Sequence, residues 1–209
     1  MSDFIIIEGV DGCGKTRLTQ HLSTVISNSL VTKEPYYSNY IQDINASNDS
    51  HEKAVLFTLD RSRHLQEVVQ PALEDEKIVI CDRYIPSNIV YQYYDKYPVQ
   101  SFKHKNYLTW LVDIQPFGPP VTKVIMLYGE PSLCASRSKS AGRKISIQND
   151  EGNAQRLEAL QYLYFQYFNE SRCMERLGDP SILWVNVDDP HTTWVDRYQV
   201  ITNFIMTET

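Results

Sequence analysis

Apolar residues along the chain follow two alternating patterns. Short continuous apolar runs predict five buried strands, at residues 4–7, 30–32, 78–81, 124–127 and 182–187. Between them, apolar residues that recur every three or four positions predict helices, at residues 15–28, 54–69, 155–176 and 194–205. Strands that are apolar along their whole length and alternate with helices are typical of an α/β fold, with a parallel sheet covered by helices on both faces.

Two residues should interrupt the helical stretches. Pro71 is expected to kink or end the second predicted helix, because proline has no N–H group and its ring clashes with the preceding turn. Gly178 is expected to stop the third predicted helix.

Length and charge limit the organisation and the partners. The 209 residues predict a single domain, residues 1–209, that buries its own core. The net charge of −6 argues against a protein that coats a nucleic acid polymer or an anionic membrane surface. A small polyanion stays possible, since a few local cations are enough to bind one.

The spacing of the cysteines and the length of the first apolar run predict where in the cell the protein is found. Four widely spaced cysteines form no C-x-x-C pair, which fits reduced thiols in a cytoplasmic protein: Cys13, Cys81, Cys134 and Cys173. The first apolar run, residues 4–7, is too short for a signal sequence or a membrane span. The expected location is the cytoplasm, with no membrane partner.

The clearest chemistry follows the first strand, where parallel sheets bind ligands. Eight residues match the phosphate-loop pattern G-x-x-x-x-G-K-T: Gly9, Val10, Asp11, Gly12, Cys13, Gly14, Lys15 and Thr16. Such a loop wraps its N–H groups around the phosphates of ATP at the start of a helix. Lys15 is expected to reach the β- and γ-phosphates and Thr16 to bind Mg²⁺. The alternative is a glycine-rich turn with a solvated lysine.

Four further residues are candidates for an acceptor site. Asp82 and Arg83 directly follow the third strand, where a carboxylate can orient Mg²⁺ and a guanidinium can hold a phosphate through two hydrogen bonds. Phe57 and Arg61 share one helix face and could stack on a nucleobase and bond its edge. The alternatives are a solvated or mutually paired Asp82 and Arg83, and a core phenylalanine beside a surface arginine.

Taken together, four segments make the chain resemble the thymidylate kinase family over roughly residues 4–92. They are residues 7–16, residues 32–35, residues 56–61, and residues 79–84 with Ser87, Asn88, Tyr91 and Gln92. The resemblance implies a three-layer P-loop kinase fold with a five-stranded parallel sheet, a homodimer, and ATP-dependent phosphorylation of dTMP to dTDP. The alternatives are a kinase for another deoxynucleoside monophosphate or a deoxynucleoside, and a regulatory P-loop NTPase.

The resemblance also implies residue roles. Asp11 would hold the sugar 3′-hydroxyl, Phe57 would stack on thymine and Arg61 would bond its edge. Arg83 would grip the acceptor phosphate, and Asp82 would lie near Mg²⁺ and the transferring group. The remaining implied contacts are those of Lys33 with the phosphate region, Asn88 with the base and Tyr91 with the sugar 2′ position.

A basic stretch after the fourth strand is expected to supply a catalytic cation. Some members of the family carry an arginine where this chain has Gly12, and members without it use a mobile lid. A short lid is therefore predicted at about residues 136–152, with Arg137 and Arg143 as preferred catalytic cations and Lys139 and Lys144 as weaker candidates. The alternative is a solvated basic loop.

Overall fold

The computed structural model describes residues 2–141 and 150–207. Five strands form one parallel sheet: β1 (Phe4–Gly9), β2 (Ser29–Lys33), β3 (Ile78–Asp82), β4 (Lys123–Tyr128) and β5 (Ser181–Asn186). All five predicted strands are confirmed, with ends that differ by one or two residues. The fold class is therefore the predicted one, an open parallel sheet flanked by helices.

Helices connect the strands. In chain order they are α1 (Lys15–Val25), α2 (Ser38–Ala46), α3 (Ser50–His64), α4 (Gln70–Glu74), α5 (Ile85–Lys96), α6 (Lys105–Asp113), α7 (Pro131–Ser140), α8 (Asp150–Tyr167), α9 (Ser171–Leu177) and α10 (Trp194–Met206). Helices α1 and α10 pack together, while α5 packs against both α3 and α8. In the part of the chain described, no helix is long and apolar enough to cross a membrane.

The strand order is β2-β3-β1-β4-β5, which puts β1 at the centre of the sheet. The chain leaves β1 toward β2 on one side, and β4 lies on the other side of β1. Ligands bind in α/β sheets at such a reversal, beyond the carboxyl ends of the strands. The register places Ile7 of β1 and Lys33 of β2 level with Asp82 of β3, so the segments after these strands meet at one edge.

Of the two outcomes predicted at Pro71, an end of the helix is wrong, although the regular α-helix is interrupted just before this residue. The helical run neither ends at Pro71 nor continues as a regular α-helix, because a π-helical segment, Leu65–Val69, leads into α4. A π-helix pairs residues five apart, and this wider turn gives room for a proline ring that would clash in a regular α-helix. The run ends only after Glu74.

The predicted helix at residues 155–176 is wrong as one element. Residues 168–170 divide it into α8 and α9, and Glu170 has an extended backbone at the start of α9. The Asn169 side chain donates to the Phe165 carbonyl at 2.7 Å, a local bond that satisfies a carbonyl at the end of α8. Helix α5 has no clear sequence period because nearly all of its first nine residues are buried, including the polar Ser87 and Asn88.

Candidate active site

The phosphate-loop residues Gly9–Thr16 connect β1 to α1. Gly12 has φ of +83°, and a Cβ atom there would lie 2.0 Å from the Cys134 carbonyl oxygen, so only glycine fits this approach to α7. Lys15 is 4% exposed and its ammonium donates to the carbonyls of Gly9 and Val10, at 2.7 and 2.8 Å. Burial lowers the pKa of Lys15. The loop therefore holds its lysine in a dry site where an anion would be strongly attracted.

Thr16 and Asp82 meet across the gap between the loop and β3. The Thr16 hydroxyl donates to Asp82 Oδ2 at 3.5 Å, and the buried Asp82 Oδ1 has no hydrogen-bond partner among the described residues. Hydroxyl and carboxylate oxygens are the ligands that Mg²⁺ prefers. The two residues predicted to bind Mg²⁺ are brought together, and an orphaned carboxylate oxygen fits that role.

Arg83 is positioned by three residues, one from the phosphate loop and two from α5. It follows β3 with φ of +72°, a backbone conformation that turns the chain sharply at the strand end. Its guanidinium donates to Asp11 at 2.6 Å and to Ser87 at 3.0 Å, and lies 5.1 Å from the centre of the Tyr91 ring. Predicted site residues from the loop, β3 and α5 therefore form one cluster.

Glu8 supports this cluster, although the sequence analysis assigned it no role. Its fully buried carboxylate accepts hydrogen bonds from the Ser87 hydroxyl at 2.6 Å, the Tyr164 hydroxyl at 3.0 Å and the Tyr84 backbone N–H at 2.8 Å. Burial raises the pKa of Glu8, and the Ser87 bond opposes that change. The available signal was an acidic residue ending an otherwise apolar strand.

Two connected spaces lie beyond the loop. A cleft of about 800 Å³ runs past Thr16, Lys33 and Asp82, and a smaller cavity of about 260 Å³ lies between α3 and α5. They share five lining residues: Asp11, Glu34, Pro35, Phe57 and Arg83. A ligand in the cavity could therefore extend a charged group past Arg83 into the cleft.

Amide groups line the cavity. Asn88 donates to the Ala54 carbonyl at 3.2 Å, but its Oδ1 is buried and has no partner among the described residues. Gln92, one helical turn later, lines the same cavity, and its buried Oε1 also has no hydrogen-bond partner among the described residues. Buried amide oxygens that face a cavity can accept hydrogen bonds from a ligand. Asn88 was predicted, whereas Gln92 was only part of a matching segment.

Arg61 lines the cavity but is bound mainly to the protein. Its Nε and Nη2 donate to Glu34 at 2.8 and 2.6 Å, and its Nη1 donates to Gln115. Both members of the Arg61–Glu34 ion pair are almost fully buried. Burial alone would lower the pKa of Arg61, but the Glu34 carboxylate outweighs it and raises that pKa. The alternative of a surface arginine is wrong, and Gln115 was missed because it lies in a loop with no matching motif.

The Glu34 carboxylate continues into a hydrogen-bonded cluster with His64. Glu34 Oε1 lies 3.3 Å from His64 Nδ1, and His64 Nε2 lies 2.8 Å from the Thr32 hydroxyl. Ligand atoms of Glu34, His64 and Cys81 lie within 4.8 Å of one another, as in a metal site. However, Arg61 already neutralises Glu34, and burial raises the pKa of Cys81 well above that of a free thiol. This donor set fits a hydrogen-bonded core better than a cation.

The predicted lid lies only partly within the described residues. Arg137, in the last turn of α7, forms an ion pair with Asp188, whose other carboxylate oxygen accepts from the Glu130 N–H at 2.8 Å. Arg143 and Lys144 lie outside the described residues. Arg137 therefore ties α7 to the segment after β5, and the choice of catalytic cation stays a prediction.

Comparisons with known proteins identify the family of the chain. The family model described as thymidylate kinase matches residues 7–176. A probable thymidylate kinase from Pyrococcus abyssi is 33% identical over 154 residues, covering 66% of this chain and 71% of the relative. A thymidylate kinase from Onion yellows phytoplasma is 40% identical over 110 residues, covering 47% of this chain and 53% of the relative. The chain spans about half the length of this phytoplasma relative and of a second one.

A solved structure shares the fold. The structure of a thymidylate kinase from Candida albicans superposes with a TM-score of 0.71, covering 98% of this chain and 91% of that one. The sequences are only 18% identical, so this likeness bears on the fold rather than on the choice of substrate.

Proposed function

Because the chain belongs to the thymidylate kinase family, we propose that it transfers the γ-phosphoryl group of ATP to dTMP and forms dTDP. The observation that carries the proposal is the position of Arg83 where the phosphate cleft meets the cavity of Phe57 and Asn88. A nucleoside without a phosphate would not use this guanidinium, which would stay paired with Asp11. The arrangement thus favours a monophosphate acceptor.

On the donor side, the phosphates of ATP bind against the N–H groups of the loop and the start of α1. The Lys15 ammonium, which contacts two loop carbonyls, turns to the β- and γ-phosphates. Thr16 and Asp82 hold Mg²⁺, which neutralises phosphate charge when it is bound.

On the acceptor side, the base enters the cavity and stacks on Phe57. The Asn88 and Gln92 amide oxygens are suited to accept from a base N–H group, and Tyr91 limits the room beside the sugar. Arg83 holds the acceptor phosphate, and Asp11 orients the guanidinium through a hydrogen bond of 2.6 Å. Asp11 would also hold the sugar 3′-hydroxyl, as the family resemblance implies. Lys33, exposed at the end of β2, adds positive charge to the cleft.

In the transfer step, an oxygen of the acceptor phosphate attacks the γ-phosphorus and the bond to the β-phosphate oxygen breaks, giving ADP and dTDP. Positioning and charge neutralisation supply most of the acceleration, so no strong general base is required. A lid cation from Arg137 or Arg143 stays part of the prediction. Closure of such a lid would exclude water and suppress ATP hydrolysis.

An acceptor panel tests the proposal. Wild-type protein with ATP and Mg²⁺ is given dTMP, dUMP, dCMP, dGMP, dAMP or thymidine, and nucleotide products are separated by chromatography. We expect the highest kcat/KM for dTMP and little ADP without acceptor. Lys15→Ala should abolish transfer while its circular dichroism spectrum stays unchanged.

Preference for thymidine over every monophosphate would favour a nucleoside kinase. ATP hydrolysis that no acceptor stimulates would favour a P-loop NTPase. Full activity of Lys15→Ala would contradict the phosphate-loop assignment.

Partner and location stay predictions. A homodimer is supported by Val55 and Leu59, two apolar residues of α3 that share a helix face and are 41% and 47% exposed. The expected cytoplasmic location fits the four free cysteines.

A further inference from the structure

Two thiols meet where the phosphate loop contacts α7. The sulfur atoms of Cys13 and Cys134 lie 3.4 Å apart, although the residues are 121 positions apart in the sequence. Both side chains are fully buried, and both cysteines are free. One thiol belongs to the loop that would hold ATP, and the other to the first turn of a helix that leads toward the predicted lid.

The backbones at this contact are also close. A Cβ atom at Gly12 would lie 2.9 Å from Cys134 Cα, so the loop and α7 touch through their main chains. A disulfide needs Cα atoms about 4.4–6.8 Å apart and a sulfur–sulfur distance of about 2.05 Å. The contact of Gly12 with Cys134 holds the two segments against each other, and the sulfur atoms must approach by more than 1 Å to meet the second condition.

We propose that Cys13 and Cys134 form a reversible disulfide that links the phosphate loop to α7 when the protein meets hydrogen peroxide. The proposal concerns modification of the protein and does not depend on the identity of the acceptor nucleotide.

The chemistry balances with peroxide as the oxidant. The Cys13 sulfur attacks one peroxide oxygen, the O–O bond breaks, and a sulfenic acid and one water form. The Cys134 sulfur then attacks the sulfenic sulfur, the S–S bond forms, and a second water leaves. The two thiols together give up two electrons and two protons, and a thiol reductant reverses the change.

Cys13 is the better first nucleophile of the two. A thiolate at Cys13 would accept a hydrogen bond from Cys134 and is close to the Lys15 ammonium, and these effects together lower the pKa of Cys13 despite burial. Cys134 is then placed to resolve the sulfenic acid. This order of events is that of redox-sensitive pairs, in which the more acidic thiol reacts first and a neighbour resolves it.

The disulfide should inhibit the protein. Closing the gap of 3.4 Å to a covalent bond brings the two sulfur atoms more than 1 Å closer together. Because both side chains are fully buried in close-packed surroundings, we expect the loop and α7 to shift with them. Misplacement of binding groups by about 1 Å can cost ~10²-fold in rate. The N–H groups and Lys15 belong to the segment that would shift, so the proposed phosphoryl transfer should fall by about that factor.

The test uses the intact wild-type protein and graded hydrogen peroxide, an oxidant small enough for a buried pair. After catalase treatment, free thiols are alkylated under denaturing conditions and the protein is digested with trypsin without reduction. We expect a mass that joins peptide 1–15 to peptide 124–137 and disappears on treatment with dithiothreitol. This readout is independent of kinase activity.

Two variants give the matched comparison. Cys134→Ala should keep its basal activity and should not be inhibited by peroxide. Cys173→Ala removes a buried cysteine of α9, and peroxide should inhibit this variant as much as it inhibits the wild type. Dithiothreitol should restore the oxidised wild type. Absence of the joined peptide, a sulfinic acid at Cys13 in its place, or equal loss of activity in Cys134→Ala would overturn the proposal.

Discussion

Arg61 and Arg83 line the same cavity, each is paired with a carboxylate, and yet they lie in different surroundings. The Arg61 side chain is 1% exposed and its Glu34 partner 3%, whereas Arg83 is 21% exposed and its Asp11 partner 30%. The buried Arg61–Glu34 pair must stay intact, because burying either charge without its partner would cost several kcal/mol of folding free energy. In the partly exposed Arg83–Asp11 pair, Arg83 can leave Asp11 and bind a ligand at a small cost in free energy.

The difference in exposure indicates different roles for the two arginines of this cavity. Arg61 fixes the wall of the cavity by joining the end of β2 to the loop after α6, through Glu34 and Gln115. Arg83 lies at the junction with the phosphate cleft and keeps a charge that an acceptor phosphate could use. Arg61 should therefore affect mainly folding stability and Arg83 mainly activity.

The largest effect should come from breaking the buried Arg61–Glu34 pair. Glu34→Gln leaves the buried Arg61 guanidinium without its counter-ion and should lower the free energy of unfolding by about 3–5 kcal/mol. Urea denaturation measures this change. The matched control is Glu67→Gln, which breaks the exposed Arg63–Glu67 pair and should cost no more than about 1 kcal/mol. Equal losses in the two variants would contradict the assigned role of Arg61.

The next largest effect should come from Arg83. Arg83→Met should lower kcat/KM for the monophosphate acceptor by ~10²–10³-fold, because a preorganised cation next to the reacting phosphate is lost. Steady-state kinetics with varied dTMP measure the change, and urea denaturation should show a smaller loss of stability than for Glu34→Gln. Arg63→Met, at an exposed site on α3, serves as the control for loss of one positive charge.

Near-normal kinetics in Arg83→Met would mean that the acceptor phosphate binds elsewhere in the cleft. Arg83→Lys sharpens the test, since it keeps the charge but not the planar fork of donors. Its activity should lie between those of Arg83→Met and the wild type.

The smallest effect should come from Gln115. Gln115→Met leaves Arg61 Nη1 without its acceptor and should cost about 1–3 kcal/mol of folding free energy, less than Glu34→Gln because the ion pair survives. Gln199→Met, at an exposed residue of α10, is the control and should change stability by less than about 0.5 kcal/mol. A Gln115→Met variant as stable as this control would show that Glu34 alone satisfies Arg61.

The predictions succeeded mainly where a feature depends on residues that are consecutive in the chain. The phosphate loop and the five strands could be predicted because each depends on a few consecutive residues. Helix α5 could not, since burial on nearly all sides of its first nine residues removes the period. The break between α8 and α9 was also missed, although the bond from Asn169 to the Phe165 carbonyl at the end of α8 joins residues only four positions apart. Pro71 was recognised as an interruption, but the π-helical segment before it depends on how the run packs.

The sequence by itself therefore determined the parallel sheet, the glycines and Lys15 of the phosphate loop, and the family. It also placed Asp82 and Arg83 at the end of a strand, because a strand and the residues after it are contiguous in the chain. Only the tertiary structure decided which side chains contact one another. Glu34 and Arg61 are 27 positions apart, Asp11 and Arg83 are 72 apart, and Cys13 and Cys134 are 121 apart. Such pairs depend on the order of strands in the sheet, which no local pattern of residues records.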